Sequence, residues 1–87
     1  MKKEYYVYVL KSLSCGKHYT GSTGNLEKRI EAHNSGLSSY TKGRMPWILV
    51  YKEKYPSRSE AMKREKFLKS GQGREELKNI LSQNMEG

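Results

Sequence analysis

Residues 5 to 12, YYVYVLKS, constrain the chain more than any other stretch. Aromatic and β-branched side chains in an unbroken run suit a pleated strand and lose rotamer freedom in a helix. Alternation along such a strand puts Tyr6, Tyr8 and Leu10 on one face and Tyr5, Val7 and Val9 on the other. SLSCGK then reads as a turn and KHYTGS as a short second strand, so the chain opens with a hairpin whose loop has four to six residues. Whatever follows must pack on that sheet.

STGN supplies helix N-cap candidates, and LEKRIEAHNSG reads as helix until Gly36 stops it. LSSYTKGR, residues 37 to 44, is a polar, basic loop. PWILVYKEKY, residues 46 to 55, is a third strand, with Pro46 at its start and Pro56 past its end; its apolar run predicts burial on both faces. Ser57 and Glu60 form a capping-box pattern, so a second helix begins there and runs through Ala61, Met62, Leu68 and Lys69. SGQG at residues 70 to 73 is expected to break it, and REELKNILSQ forms a last helix with Leu77, Ile80 and Leu81 on one side. The order β-β-α-β-α-α, with a three-stranded antiparallel sheet flanked by helices, is an α+β fold. With 87 residues, no internal repeat and no linker, one domain over residues 1–82 with a disordered tail at 83–87 is expected. The core of such a domain is thin.

Charge narrows the partners. Seventeen Lys and Arg against nine acids leave a formal charge of +8, and eleven of the seventeen bases fall between Lys42 and Lys78. That balance points to an anionic partner, nucleic acid or a membrane surface, against the plainer alternative of a merely basic soluble domain. Seven tyrosines, Trp47 and Phe67 argue against disorder despite 30% charged residues. Cys15 is the only cysteine, which excludes an internal disulfide and a thiolate zinc site. No run is long enough to span a membrane and no signal peptide opens the chain, so the cytoplasm is the expected location.

Three polar residues sit where apolar ones belong. On a helical wheel, the first helix has the stripe Leu26, Ile30, Leu37, yet His33 lies inside it and Arg29 on its edge, one turn apart. In the next helix Glu65 shares the stripe of Ala61 and Leu68, whereas Glu60 faces away. Arg29 could simply snorkel to water, and His33 could be a hydrogen-bonded core residue. A half-buried Glu65 needs a cation: a base in a structural ion pair, or a hard divalent ion such as Mg2+. Tyr8 and Tyr19, across the hairpin, can share a face; buried sheet tyrosines are ordinarily core. Together these groups form a less ordinary set on four neighbouring elements.

At these positions the chain resembles the GIY-YIG nuclease superfamily, in particular its small stand-alone bacterial members, which are similar to the N-terminal domain of excinuclease C, a component of nucleotide-excision repair. The first motif stands here as Tyr6-Val7-Tyr8 and the second as Tyr19-Thr20-Gly21, with Arg29, His33 and the Glu65 helix AMKREKFLK in matching order and spacing. The resemblance covers about residues 4 to 80. It implies hydrolysis of DNA phosphodiester bonds with one metal ion, with a role in repair or recombination and with branched or damaged DNA as substrates. Glu65 would hold Mg2+ or Mn2+ and Arg29 would clamp the scissile phosphate. Tyr8 or Tyr19 would take the proton of the attacking water, with the other tyrosine and His33 positioning it. Gly21 would let the backbone turn tightly beside the site. Lys17, Lys42, Arg44 and Lys69 are candidate contacts to backbone phosphates, against the alternative of plain solvated charge. Two features depart from the pattern: Tyr6 stands where the family motif has glycine, and the family's late asparagine has no counterpart in register, Asn79 being the nearest.

A positive, single-domain chain leaves two other classes open. One is a non-catalytic nucleic-acid-binding module or a subunit of a partner nuclease. The other is an interaction domain that dimerises through its last helix. A monomer or weak dimer with no membrane partner is expected.

Overall fold

The computed structural model describes residues 4–36 and 43–84. Among them are strands β1 (Tyr5–Ser12), β2 (His18–Thr23) and β3 (Trp47–Tyr55), and helices α1 (Leu26–Asn34), α2 (Arg58–Lys69) and α3 (Gly71–Asn84). The strands form one antiparallel sheet in the order β2-β1-β3. This is the α+β arrangement of three strands and three helices that the sequence predicts. The expected loop, Leu37 and Lys42 included, lies mainly in residues 37–42, and the end of the expected tail in residues 85–87; both lie outside the described residues, while Gln83 and Asn84, expected in the tail, belong to α3.

β1 occupies the centre, and Val7, Tyr8, Val9 and Leu10 are all fully buried. Its two faces build two separate cores. Val7 and Val9 pack with Ala61 and Leu68 of α2 and Leu77 of α3. Tyr8 and Leu10 pack with Trp47, Tyr19 and the α1 residues Leu26 and Ile30. The alternation in YYVYVLKS therefore decides which helix covers which face.

β3 departs from the expectation of two buried faces. It is an edge strand, with Ile48 42% and Leu49 36% exposed. The apolar run misleads because β1, not β3, takes the doubly covered position, and because the register with β1 jumps from Tyr51 to Leu49, leaving Val50 as the extra residue of a bulge. SGQG also behaves differently. α3 begins at Gly71, since Ser70 closes α2 through its N–H to the Phe67 carbonyl and its hydroxyl accepts from the Gly73 N–H 3.2 Å away. A Cβ at Gly73 would stand 1.7 Å from the Phe67 oxygen. The glycines permit a tight corner between two helices and do not open a loop.

The caps read from the sequence are present. Asn25 accepts from the Lys28 N–H at the start of α1, and Ser57 accepts from the Glu60 N–H at the start of α2. Gly36, at φ 83°, follows the last turn of α1 in the left-handed region that ends helices. Asn34 then clasps β3: its Oδ1 accepts from Trp47 N at 2.7 Å and its Nδ2 donates to Trp47 O at 3.0 Å. This fixes the helix that carries Arg29 and His33 against the sheet.

A polar network locks the opposite face. The Glu53 carboxylate accepts from Tyr51, from Tyr55 at 2.7 Å and from Arg64 at 2.9 and 3.1 Å, and Arg64 reaches on to Glu76. Burial and the Glu53 charge push both phenols up to about 12. Burial alone would lift the Glu53 pKa, but the Arg64 and tyrosine hydrogen bonds outweigh it and hold the group below its ordinary 4.5. A carboxylate depressed in the folded state stabilises the fold above its unfolded pKa and loses that contribution as pH falls through the folded value. Replacing Glu53 with Ala should thus cost about 2 kcal/mol near neutrality in urea unfolding. The gap to wild type should narrow as pH drops below 4.5. An equal gap at every pH would contradict this role for the network.

Candidate active site

Tyr8 sits at the centre of the middle strand, opposite Gly21 of β2. A Cβ on Gly21 would lie 2.6 Å from the Tyr8 hydroxyl oxygen and 3.1 Å from the Tyr19 ring. This corrects the sequence-based expectation for Gly21. The residue lies within a strand and only Gly16 and Gly36 have positive φ among the described residues, so the backbone makes no special turn there. Glycine is required because the phenol occupies the volume a side chain would fill.

α1 delivers two groups to that phenol. His33, fully buried, places Nε2 3.0 Å from the Tyr8 hydroxyl, and Arg29 Nε donates to the same oxygen at 3.3 Å. Arg29 carries only donors, so the phenol oxygen accepts from it. The phenol's own proton is then free to go to His33 Nε2. That assignment requires a neutral imidazole, and burial followed by the nearby Arg29 charge does lower the His33 pKa. Burial dominates at Tyr8 as well and, with help from the Tyr19 and Glu65 charges, pushes it up to about 12 against the opposing pull of Arg29. Tyr19 completes the cluster: its ring centroid lies 4.7 Å from that of His33, 6.2 Å from Tyr8 and 6.3 Å from Trp47. Arg29, held charged chiefly by Tyr8, also draws on Tyr19.

Glu65 approaches from α2. Ser22 of β2 donates to its Oε1 at 2.6 Å, and Lys69, one turn further along α2, donates to its Oε2 at 2.7 Å. The Lys69 ammonium also stands 5.9 Å from the Tyr19 ring centroid, and the Glu65 charge is felt at Tyr8. The candidate residues are thus brought together across β2, an edge strand: Tyr8, Tyr19, Arg29 and His33 with α1, Glu65 and Lys69 from α2. No cluster of three or more His, Cys, Asp and Glu suited to a metal exists among the described residues. The local donors are nonetheless hard: a partly buried carboxylate and the Ser22 hydroxyl. Such a set suits Mg2+ or Mn2+, which keep water and take up phosphate oxygens in their other positions.

The basic candidates divide. Lys69 stands at the cluster. Lys17 and Arg44 flank the hairpin loop, where the Ser12 hydroxyl gives its proton to the Arg44 carbonyl and both charges act on Cys15. Lys42 lies outside the described residues. Sequence reasoning missed a groove that mixes bases with apolar side chains, Ile48, Val50, Leu68, Leu77 and Leu81 among them. The groove, of about 1020 Å3, leaves Tyr19 and Lys69 and runs between the sheet and α3. Its charged lining is Lys11, Lys69, Arg74 and Lys78, with His18 beside them and no carboxylate. Only the sheet brings Lys11 to the α3 bases, so no linear charge run reveals them. Ser22 was missed as well; its pairing opposite Val7 on the α2-covered face is the signal that could have found it. No helix among the described residues is long and apolar enough to cross a membrane.

The family model described as the GIY-YIG catalytic domain matches residues 4–79. A UPF0213 protein of Staphylococcus haemolyticus is 45% identical over 78 residues, covering 88% of this chain and 94% of the relative. A UPF0213 protein of Clostridium perfringens is 44% identical over 81 residues, covering 92% and 86%. The solution NMR structure of a UPF0213 protein from Bacillus halodurans superposes with a TM-score of 0.54 at 39% identity, over 88% of this chain and 84% of the other.

Two substitutions probe the phenol cluster. Gly21→Ala should cost about 1–3 kcal/mol by overpacking in urea unfolding, and should shift the His33 ring resonances; a change confined to β2 would contradict the packing account. The His33 ring should titrate below its ordinary 6.5 by NMR, and Arg29→Ala should raise its pKa by removing the neighbouring charge. A downward shift in that variant would show that Arg29 acts on His33 in some other way.

Proposed function

The chain belongs to the GIY-YIG family, whose members are nuclease-type domains acting on nucleic acid, and on that premise we propose that it is a divalent-metal-dependent DNA endonuclease. The observation that carries this reading is the double engagement of the buried Tyr8 hydroxyl by Arg29 and His33. A phenol with its pKa pushed up to about 12 is a poor base at rest. Its hydroxyl could still act by relay, passing its proton to neutral His33 as it accepts one from the attacking water. Arg29 supports the phenolate character that develops and offers a fixed cation to the phosphate oxygens. Tyr19 borders both groups and would orient the water.

Glu65, with Ser22 beside it, would hold the metal ion. That ion would supply positive charge to the ester oxygens and offset the carboxylate's own penalty on a Tyr8 phenolate. Lys69, Lys11, Arg74 and Lys78 would follow the DNA backbone along the groove without reading sequence. Branched or damaged DNA as substrate, and a place in repair or recombination, belong to this reading through the likeness to excinuclease C.

One observation favours a second reading, a basic binding module or a subunit of a partner nuclease: both Glu65 oxygens already have partners within the chain. Plasmid nicking in Mg2+ and in Mn2+ separates the two. Nuclease function predicts turnover that falls by about 100-fold or more in Glu65→Gln, Arg29→Ala and Tyr8→Phe. Its acid limb should lie below pH 6.5, because His33 must be neutral. Tight, salt-sensitive binding with no turnover in either metal, unaffected by Glu65→Gln, would instead favour the module.

A further inference from the structure

The ion pair at Glu65 is placed where it interferes with the metal site proposed above. Oε1 of Glu65 accepts from Ser22 at 2.6 Å, and Oε2 is taken by the Lys69 ammonium at 2.7 Å. The lysine side chain is 50% exposed and the carboxylate 24%, so the base is the more solvated partner and the acid the more enclosed one. Lys69 lies one helical turn beyond Glu65, a spacing at which an ammonium on a long stem reaches a carboxylate without distorting the helix. It also stands within 5.9 Å of the Tyr19 ring centroid, so its reach spans the acid and the tyrosine cluster.

The ammonium and a metal ion compete for that oxygen: it has two lone pairs, but the charge of one cation opposes the other. Mg2+ and Mn2+ need direct contact at about 2.1 Å, and an ammonium hydrogen-bonded to the same oxygen crowds the approach and repels the charge. A nucleic-acid phosphate near Tyr19 offers the ammonium a new partner of the same kind. Movement of Lys69 from Glu65 to a phosphate would clear the carboxylate and leave the freed charge where the ester needs it.

We infer that Lys69 is a tethered counter-ion that occupies the metal-binding oxygen of Glu65 until a nucleic-acid phosphate draws it away, so that metal and nucleic acid bind cooperatively. The inference rests on the reading of Glu65 as the metal ligand. Since such coupling is reciprocal, DNA strengthens metal binding by the factor with which metal strengthens DNA binding. Lys69 is then a positioning residue for the metal as well as a phosphate contact.

The test measures Mn2+ binding by electron paramagnetic resonance of the free ion, with wild type, Lys69→Met, Lys69→Gln and Glu65→Gln. Titrations run with Mn2+ alone and with a short phosphorothioate-linked oligodeoxynucleotide, whose own Mn2+ binding is subtracted. Lys69→Met keeps the aliphatic stem and Lys69→Gln keeps a polar end, so at least one should fold as wild type by circular dichroism. The expected result is Mn2+ affinity raised roughly three- to tenfold in both Lys69 variants, the scale of a partly exposed ion pair and its repulsion. The oligonucleotide should raise the wild-type affinity by a larger factor than that of either variant, because the variants gain only its phosphate oxygens as ligands and nothing from release of Lys69. Unchanged or weaker Mn2+ binding in the Lys69 variants, with binding lost in Glu65→Gln, would overturn the Lys69 inference alone. Mn2+ binding that ignores Glu65→Gln would overturn the metal reading of Glu65 and this inference with it.

Discussion

The Tyr8 hydroxyl is the polar group around which this small fold is arranged. A phenol at the centre of a central strand loses its water, and an unpaired hydroxyl there would cost free energy. Arg29 and His33 meet it, and no buried side-chain nitrogen or oxygen is left without a partner among the described residues. Satisfying it demands that α1 lie over that face in one rotation, with the two residues one turn apart. Asn34 fixes that rotation by clasping the Trp47 backbone, and Trp47 in turn packs on Tyr8 and Leu10. Structural demand and proposed chemistry coincide here: the contacts that keep the phenol satisfied are those that would tune its proton.

Glu65 poses the complementary problem on the far side of β2. A partly buried carboxylate needs positive charge, and the chain supplies it from within through Lys69. On the proposed reading that local solution is temporary, because a metal ion meets the same need better once the lysine has another anion to bind. The edge position of β2 makes such an exchange feasible, since only an edge strand allows groups from both helix layers to face one another past its side. Gly21 contributes by absence, leaving the space in which Tyr8 and Tyr19 meet.

Much of this was legible in the sequence. The faces of YYVYVLKS followed from alternation, the caps within STGN and at Ser57 from residue type, and the buried His33 and half-buried Glu65 from helical period, whereas Arg29 is exposed and reaches inward through its Nε. These are local signals, and local geometry decides them. What escaped depended on distant parts of the chain. Whether β1 or β3 takes the centre of the sheet is a tertiary choice, and the Val50 bulge has no sequence mark of its own. Gly73 looked like a helix breaker because its reason, the Phe67 carbonyl, appears only once two helices turn a corner. Gly21 was assigned a turn because a motif gives residue type without saying what fills the vacated volume. The pairing of Ser22 with Glu65 joins residues from separate elements that no linear spacing connects.

In the proposed chemistry, the Tyr8–Arg29–His33 cluster and Glu65 form one centre for a metal ion and a phosphodiester. An anomalous difference map from crystals soaked in Mn2+ would locate that centre. A single strong peak is predicted, bonded to the Glu65 carboxylate on the side facing Tyr8 and Tyr19, with Lys69 withdrawn from Oε2. A carboxylate still held by Lys69 at saturating Mn2+, or a peak away from the two phenols, would contradict it.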